Sequence, residues 1–251
     1  MKKAIPIIVG FTVLITIWQL ATLTGGYNPV LFPPPLSVAS GLQELIREGI
    51  LVESIVRSLV RFFIGYILAA AFGLSLGLYF GHFLNVWRFV NPIAQFLRPI
   101  SPIAWLPFVV LWFGIGDVPA VVIVFIAAFF PILLTTVSAV SKIDRNYLKV
   151  AKNFGLSKFH IFTKIIIPAA FPHITTGFHI AIGSAWVFIV AGEMVGAQSG
   201  LGFLIVDARQ NIRADLLMAA MVVIGLLGLL IDLLFGLVEK HIYAKQGITK
   251  D

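Results

Sequence analysis

The sequence predicts an all-α, polytopic membrane protein with six transmembrane helices. Of its 251 residues, 59% are hydrophobic and 12% are charged, about half the charged fraction of an ordinary soluble domain. The apolar residues form long blocks, each near the ~20 residues that a helix needs to cross a bilayer. Helices are required because a backbone exposed to lipid must satisfy its own hydrogen bonds. The blocks are residues 5–23, 59–80, 89–113, 118–140, 174–195 and 216–238.

The distribution of charge predicts the orientation in the membrane. The net charge is +7, and the cations lie in a few loops between apolar blocks, so we expect a lipid bilayer around the chain and no nucleic-acid partner. Twelve cations fall on the side that holds both termini and five on the outer side, namely Arg47, Arg57, Arg61, Arg209 and Arg213. The positive-inside rule therefore predicts cytoplasmic termini in the inner membrane of a prokaryote. One membrane domain is expected over residues 1–251, with its core at 59–240 and an extra part at 1–58.

The first block is predicted to be a retained span, because it runs to Leu23 without the small-residue cleavage site of a signal peptide. A proline-rich stretch, "NPVLFPPPLSV", follows and is expected to be extended. Beyond it, Leu42, Leu45 and Ile46 recur at helical spacing. This spacing predicts an amphipathic helix on the outer surface of the membrane.

The second block contains glycines that are mostly four residues apart, so one side of its helix has little side-chain bulk. Such a surface allows two helix backbones to approach closely. It is compatible with tight packing in one bundle and with helices that slide during a conformational cycle. The glycines are Gly65, Gly73, Gly77 and Gly81.

The third block contains an arginine, Arg98, in an otherwise apolar stretch. An arginine at the centre of a span costs about 2.5–3.5 kcal/mol on insertion scales, so we expect it to face the bundle interior, water or a partner. On one continuous helix it would share an arc with other polar and aromatic side chains. Two interpretations remain open, a path for an anion and an arginine that reaches to the membrane surface. The candidate path residues are Asn91, Gln95, Arg98, Ser101 and Trp105.

A basic segment, residues 144–168, separates the fourth and fifth blocks. Gly155 suits the left-handed position that ends a helix, and Ser157 suits the N-cap of the next one. Pro168 is expected to mark the start of a new segment that returns to the membrane. The segment is therefore predicted to be a pair of short helices with exposed apolar side chains. Such a pair favours docking to a cytoplasmic partner over a solvated loop or a DNA-binding helix-turn-helix.

This segment resembles the cytoplasmic "EAA loop" of ABC importer permeases, in which Glu-Ala-Ala precedes a glycine and a later proline at fixed spacing. The matching residues here are the triplet Lys149-Val150-Ala151, Gly155 and Pro168. Lys149 departs from the usual glutamate. We therefore expect a mainly apolar contact with the ATPase, and the expected coupling residues are Lys149, Val150, Ala151, Phe154, Gly155, Leu156, Ser157 and Pro168.

Other stretches, among them "LFPPPLSV", "RPISPIAWLPFVVLWFGIGD" and "GEMVGAQSGLGFLI", are similar to the permeases of nitrate, sulfonate, taurine and bicarbonate importers. The resemblance covers nearly the whole chain. It implies the type I importer permease fold, a homodimer, two ABC ATPase subunits on the cytoplasmic face and an external substrate-binding protein. ATP and Mg²⁺ would belong to the ATPase subunits, and this chain is expected to need no cofactor of its own.

Catalysis finds little support in the sequence. His179 and Ser184 are separated by ~140° on a helix and cannot form a dyad. The chain has no phosphate-binding loop, no metal-ligand spacing and no cysteine. Glu193, near the end of the fifth block, is expected either at an outer gate or binding-protein docking surface, or in an ion pair with an arginine. A secondary transporter or channel without an ATPase partner remains the alternative function.

Overall fold

A computed structural model describes residues 4–26, 28–144, 149–151 and 153–246. These residues form helices joined by short turns, and none of them lies in a strand, which confirms the predicted all-α class. The helices are α1 (Ala4–Thr24), α2 (Pro35–Arg47), α3 (Ile50–His82), α4 (Leu84–Leu97), α5 (Leu106–Phe113), α6 (Asp117–Ser141), α7 (Lys158–Gly196), α8 (Leu201–Gln210) and α9 (Ala214–Gln246).

Four of the described helices are long and apolar enough to cross a membrane, namely α3, α6, α7 and α9. A fifth span results if α4 and the residues Pro102–Phe113 are counted together, although these two pieces are bent by 87°. Residues Val9–Thr24 of α1 form a shorter apolar helix. The six predicted blocks therefore all correspond to helices, but the prediction of one continuous span at 89–113 is wrong.

The chain divides into two compact units, and the first joins residues 1–58 with 199–227. In this unit α2 buries Val38, Gly41 and Leu45, and Val38 and Leu45 belong to a cluster that also contains residues of α8 and α9. The predicted amphipathic helix is confirmed. Its buried face is rotated from the predicted one, because Ile46 is 53% exposed. Pro35 occupies the first turn of α2, where its missing N–H has no cost.

The same unit contains a charge cluster around the turn that precedes α9. Arg213 donates to both carboxylate oxygens of Glu44, at 3.1 and 2.6 Å, and also to Asp215. The carboxylates of Asp215 and Glu44 raise the pKa of Arg213 above its ordinary value. The guanidinium therefore stays charged and ties α2 to the start of α9 by a bidentate pair.

The second unit joins residues 59–198 with 228–251. Within it the glycine face of α3 lies against α6. A Cβ atom at Gly65 would come 2.6 Å from the carbonyl oxygen of Val121, and one at Gly77 would come 2.5 Å from Cβ of Thr136. Real Cβ atoms do not approach so closely, so the predicted close helix contact is confirmed and holds from Gly65 to Gly81 of α3. Helix α7 packs on α6 as well.

Candidate functional site

The first helix of the predicted pair is present in the described part of the basic segment. Residues 149–151 and 153 are helical, and Gly155 follows with φ +74°. The N–H of Phe154 bonds to the carbonyl of Val150 at 3.0 Å, and that of Leu156 bonds to Ala151 at 3.2 Å. The second bond is the six-to-one bond of a Schellman motif, which needs a residue such as glycine in the left-handed conformation. The predicted role of Gly155 is confirmed.

The second helix of the pair begins where Ser157 predicts it. Ser157 is extended, with ψ 155°, and its hydroxyl accepts a hydrogen bond from the N–H of His160 at 3.3 Å. This is the geometry of an N-cap, in which a side-chain oxygen satisfies a donor that the helix leaves unpaired. The turn between the two helices is therefore fixed on both sides by local sequence.

Burial separates the segment into an anchored face and an exposed face. Ala151, Ile161 and Ile166 are buried in a cluster with residues of α6 and α7. Phe154 is 82% exposed and Phe159 is 72% exposed. The segment thus holds its position through small and aliphatic side chains and leaves large aromatic ones uncovered. The other exposed coupling residues are Lys149, Val150, Gly155, Leu156, Ser157 and Pro168.

Pro168 lies in the first turn of the regular α-helix Ile167–Gly196, as predicted for the start of a segment, but no break between two helices precedes it. Residues Lys158–Gly196 form one helix, with a π-helical turn at Phe162–Ile166 just before the proline. The N–H of Ile167 bonds to the carbonyl of Phe162, five residues earlier. A wider turn of this kind makes room for the proline ring, which otherwise clashes with a carbonyl of the preceding turn. The helix therefore continues from the basic segment into the fifth apolar block without interruption.

A cavity of about 540 Å³ lies between α6, α7 and the bend that follows α4. Arg98, Lys142 and His173 contribute basic side chains to its lining, and none of the described lining residues is acidic. Hydroxyl groups also line it, but three of them donate to carbonyls of their own helices. Hydroxyl groups are neutral, so the positive charge of the described lining comes from its basic side chains. The hydroxyl residues are Thr135, Ser138, Thr176 and Ser184.

The structure places Arg98 in this cavity, but the other four predicted path residues do not line it. Arg98 is the C-cap of α4, and the chain then turns through 87°. The predicted arc required one straight helix from residue 91 to 105, so the grouping is wrong. Asn91 and Gln95 lie before the bend, where their side chains approach each other at 3.4 Å. Ser101 and Trp105 lie after the bend, and none of these four lines the cavity.

Glu193 is fully buried in α7 and forms an ion pair, the alternative that the sequence left open. Its Oε1 accepts a hydrogen bond from Nη1 of Arg61 at 2.8 Å. Arg61, assigned to an outer loop by the charge count, instead lies inside α3 and is only 3% exposed. Its Nε also donates to Asp117 at 2.8 Å. Helices α3, α6 and α7 thus meet at one guanidinium.

A polar cluster that the sequence did not indicate joins α7 to α9. His179 contacts Asp232 through Nε2 at 2.8 Å and Glu239 through Nδ1 at 3.2 Å. The three residues are 53 and 60 positions apart in the chain, so no local pattern could reveal them. Ser184 donates to a carbonyl of its own helix and forms no dyad with His179. The described residues contain no group of side chains suited to hold a metal ion.

Known proteins are similar to this chain over most of its length. Residues 49–246 match the family model described as binding-protein-dependent transport system inner membrane component. A putative ABC transporter permease protein of Methanocaldococcus jannaschii is 36% identical over 87% of this chain and 83% of that protein. The nitrate import permease protein of Leptolyngbya laminosa is 34% identical over 96% of this chain and 88% of that protein.

The fold is also similar to a solved one. The MetNI methionine ABC transporter, in an inward-facing conformation, gives a TM-score of 0.66 at 21% identity. The match covers 78% of this chain and 97% of that chain. At this level of identity the likeness concerns the fold alone.

Proposed function

Because the chain belongs to the family of binding-protein-dependent transport system inner membrane components, we propose that its basic cavity conducts a small anion and that residues 149–157 couple this movement to ATP hydrolysis. The chain is a multi-pass inner-membrane protein and a permease subunit of an ABC importer. We further propose that the substrate is an anion, that it passes through the cavity around Arg98, and that the exposed helix pair contacts an ATPase.

The observation that carries the proposal is the basic lining of the 540 Å³ cavity. Arg98, Lys142 and His173 approach it from three different parts of the chain, and no acidic side chain joins them among the described lining residues. Cations that face a low-dielectric space attract an anion more strongly than they would in water. A nitrate-like, bicarbonate-like or sulfonate-like nutrient fits this charge, and a nitrate import permease is among the relatives.

Coupling is assigned to the exposed face of the helix pair. Phe154 and Leu156 are apolar and 82% and 43% exposed, as expected for side chains that insert into a groove of a partner. The partner is proposed to be an ABC ATPase, one copy for each permease of a homodimer. It would hold ATP and Mg²⁺, since the sequence of this chain contains no phosphate-binding loop.

The orientation follows from the charge distribution. With the coupling segment and both termini on the cytoplasmic side, the excess of lysine and arginine obeys the positive-inside rule. The opposite face then receives the substrate from an external binding protein. ATP binding would close the ATPase pair and move the docked segment, and the spans would open outward. Hydrolysis would reset them.

Two measurements test the proposal. The tagged chain is purified from its native host, and an ATPase with a phosphate-binding loop is expected to co-purify in equal amounts. The complex is then reconstituted with its binding protein in liposomes, and uptake of labelled nitrate, bicarbonate and taurine is followed with and without ATP. Uptake that proceeds without ATP, or a chain that purifies without an ATPase, contradicts the coupling. ATP-driven uptake of a cation contradicts the assignment of the cavity.

A further inference from the structure

A second cavity, of about 510 Å³, lies between the C-terminal turns of α3 and the first turns of α7. It shares no lining residue with the cavity around Arg98. Aromatic and cationic side chains dominate its wall, and transport of substrate through the first cavity does not involve it. Those side chains are Tyr79, His82, Phe83, Lys158, Phe159 and Phe162.

The aromatic side chains of this cavity form a connected group. The ring of His82 meets that of Phe162 edge-to-face at 6.1 Å, and the rings of Tyr79 and Phe83 lie 4.9 Å apart. Tyrosine and other amphipathic aromatic side chains collect at the level of lipid headgroups, where one end is apolar and the other meets water. The cavity therefore has the composition of a site at the membrane surface.

The charge of the cavity favours an anionic occupant. Lys158 supplies an ammonium group, His82 supplies an imidazole ring, and none of the described lining residues is acidic. Ser157 caps the helix that carries Lys158, so the position of the lysine backbone is fixed. Basic cavities between transmembrane helices at the membrane surface bind the headgroups of anionic lipids.

An apolar stripe leads from the cavity along α3. Ile64, Leu68 and Phe72 are 47%, 43% and 55% exposed, and they recur every four residues on the face that Leu76 and Tyr79 continue. From residue 64 to residue 79 this stripe is about 22 Å long at 1.5 Å per residue. The hydrocarbon of one leaflet is about 15 Å deep, so the stripe is long enough to lie along an acyl chain.

We propose that this cavity binds an anionic phospholipid. Its phosphate group lies against Lys158 and His82, its glycerol region lies among the aromatic rings, and one acyl chain follows the stripe on α3. The site would tie the end of α3 to the start of α7 immediately beside the coupling segment. The inference concerns lipid bound to this chain and does not depend on which substrate is carried.

The test measures lipid retention by the purified transport complex. The complex is placed in nanodiscs of phosphatidylcholine mixed with phosphatidylglycerol, extracted in mild detergent, and its bound lipids are counted by native mass spectrometry. The wild-type chain is expected to retain phosphatidylglycerol in preference to phosphatidylcholine. Lys158→Ala is expected to reduce that preference about fivefold, the equivalent of about 1 kcal/mol for one cation at an anionic surface.

Two variants and one crosslinking measurement make the result specific. Lys158→Arg should keep the preference, and Lys164→Ala, which removes a lysine of the same helix outside the cavity, should leave it unchanged. A photoreactive residue at Phe83 should crosslink to phosphatidylglycerol and lose the crosslink in Lys158→Ala. Equal retention of the two lipids, or an equal loss in Lys164→Ala, overturns the proposal. A crosslink to the ATPase or to a second permease instead of lipid also overturns it, because the cavity is then a protein interface.

Discussion

Arg61 and Glu193 form a buried ion pair across 132 positions of the chain, with Nη1 and Oε1 2.8 Å apart. The side chains are 3% and 0% exposed. Taking two charges out of water is costly, and the mutual attraction compensates only when the geometry is good and other hydrogen bonds are satisfied. Asp117 supplies a further partner to the guanidinium. The pair fixes α3 to α7 within the second unit, and removing one member leaves the other charge buried.

We predict that Glu193→Ala destabilises the protein by about 3–5 kcal/mol, because Arg61 loses its buried counter-charge. Thermal unfolding in detergent, followed by circular dichroism, measures the change. The double variant Arg61→Met, Glu193→Leu should be closer to the wild-type stability than Glu193→Ala. Glu53→Ala is the control, because Glu53 forms only an exposed contact with Arg57, at 3.7 Å. If Glu193→Ala unfolds at the wild-type temperature, the ion pair does not hold the helices together.

The glycine face of α3 predicts a second stability change. Gly77→Val should destabilise the second unit by roughly 1–3 kcal/mol, because its side chain would overlap Thr136 of α6. Gly236→Ala is the matched control, since nothing lies within 4 Å of a Cβ at that helical position. Alanine there should be neutral or slightly stabilising because it favours helix more than glycine does. Equal unfolding temperatures for the two variants would mean that α3 and α6 do not approach as closely as described.

In the coupling segment, the turn at Gly155 is expected to matter more for ATPase activity than the charge of Lys149. Gly155→Val should strongly reduce the ATPase activity stimulated by the loaded binding protein, because a β-branched residue at φ +74° is strained by about 1–2 kcal/mol or more. Lys149→Glu should retain most of that activity, since the exposed face of the segment is mainly apolar. Reconstituted complexes compare the two variants directly. Loss of activity in Lys149→Glu with full activity in Gly155→Val would reverse the assignment.

The basic cavity predicts a loss of transport on removal of one charge. Arg98→Ala should lower the initial uptake of an anionic substrate about tenfold or more, the effect of losing a charge-assisted hydrogen bond of ~1.5–3 kcal/mol. Arg98→Lys should recover part of the rate. Arg88→Ala is the control, because Arg88 lies on α4 and does not line the cavity. Uptake in liposomes gives the rates, and equal rates for Arg98→Ala and Arg88→Ala would place the anion path elsewhere.

Features that depend on neighbouring residues were predictable from the sequence. Gly155 indicates a helix end and Ser157 indicates a helix start, because each acts on backbone groups within a few positions. The spacing of Gly65 and Gly77 announces a close helix contact for the same reason. The long apolar blocks gave the class of fold, since the bilayer permits few other structures.

Features that depend on distant residues or on small energy differences were not predictable. Nothing near Arg61 shows that Glu193 will reach it, and charge counting assigned this arginine to a loop. The bend after Arg98 and the π-helical turn before Pro168 each replace a regular helix by another arrangement of similar energy. Sequence periodicity assumes a straight helix, so it grouped Asn91 with Trp105 and ended a helix at Pro168.

The uninterrupted course of α7 has a mechanical consequence. Its 39 residues form a rod about 58 Å long, with exposed Phe159 near one end and buried Glu193 near the other. A tilt of ~5° about its first turn would carry the far end by about 5 Å, given that length. In the proposed coupling, a small tilt at the first turn of α7 would be enlarged at its other end without a separate linkage.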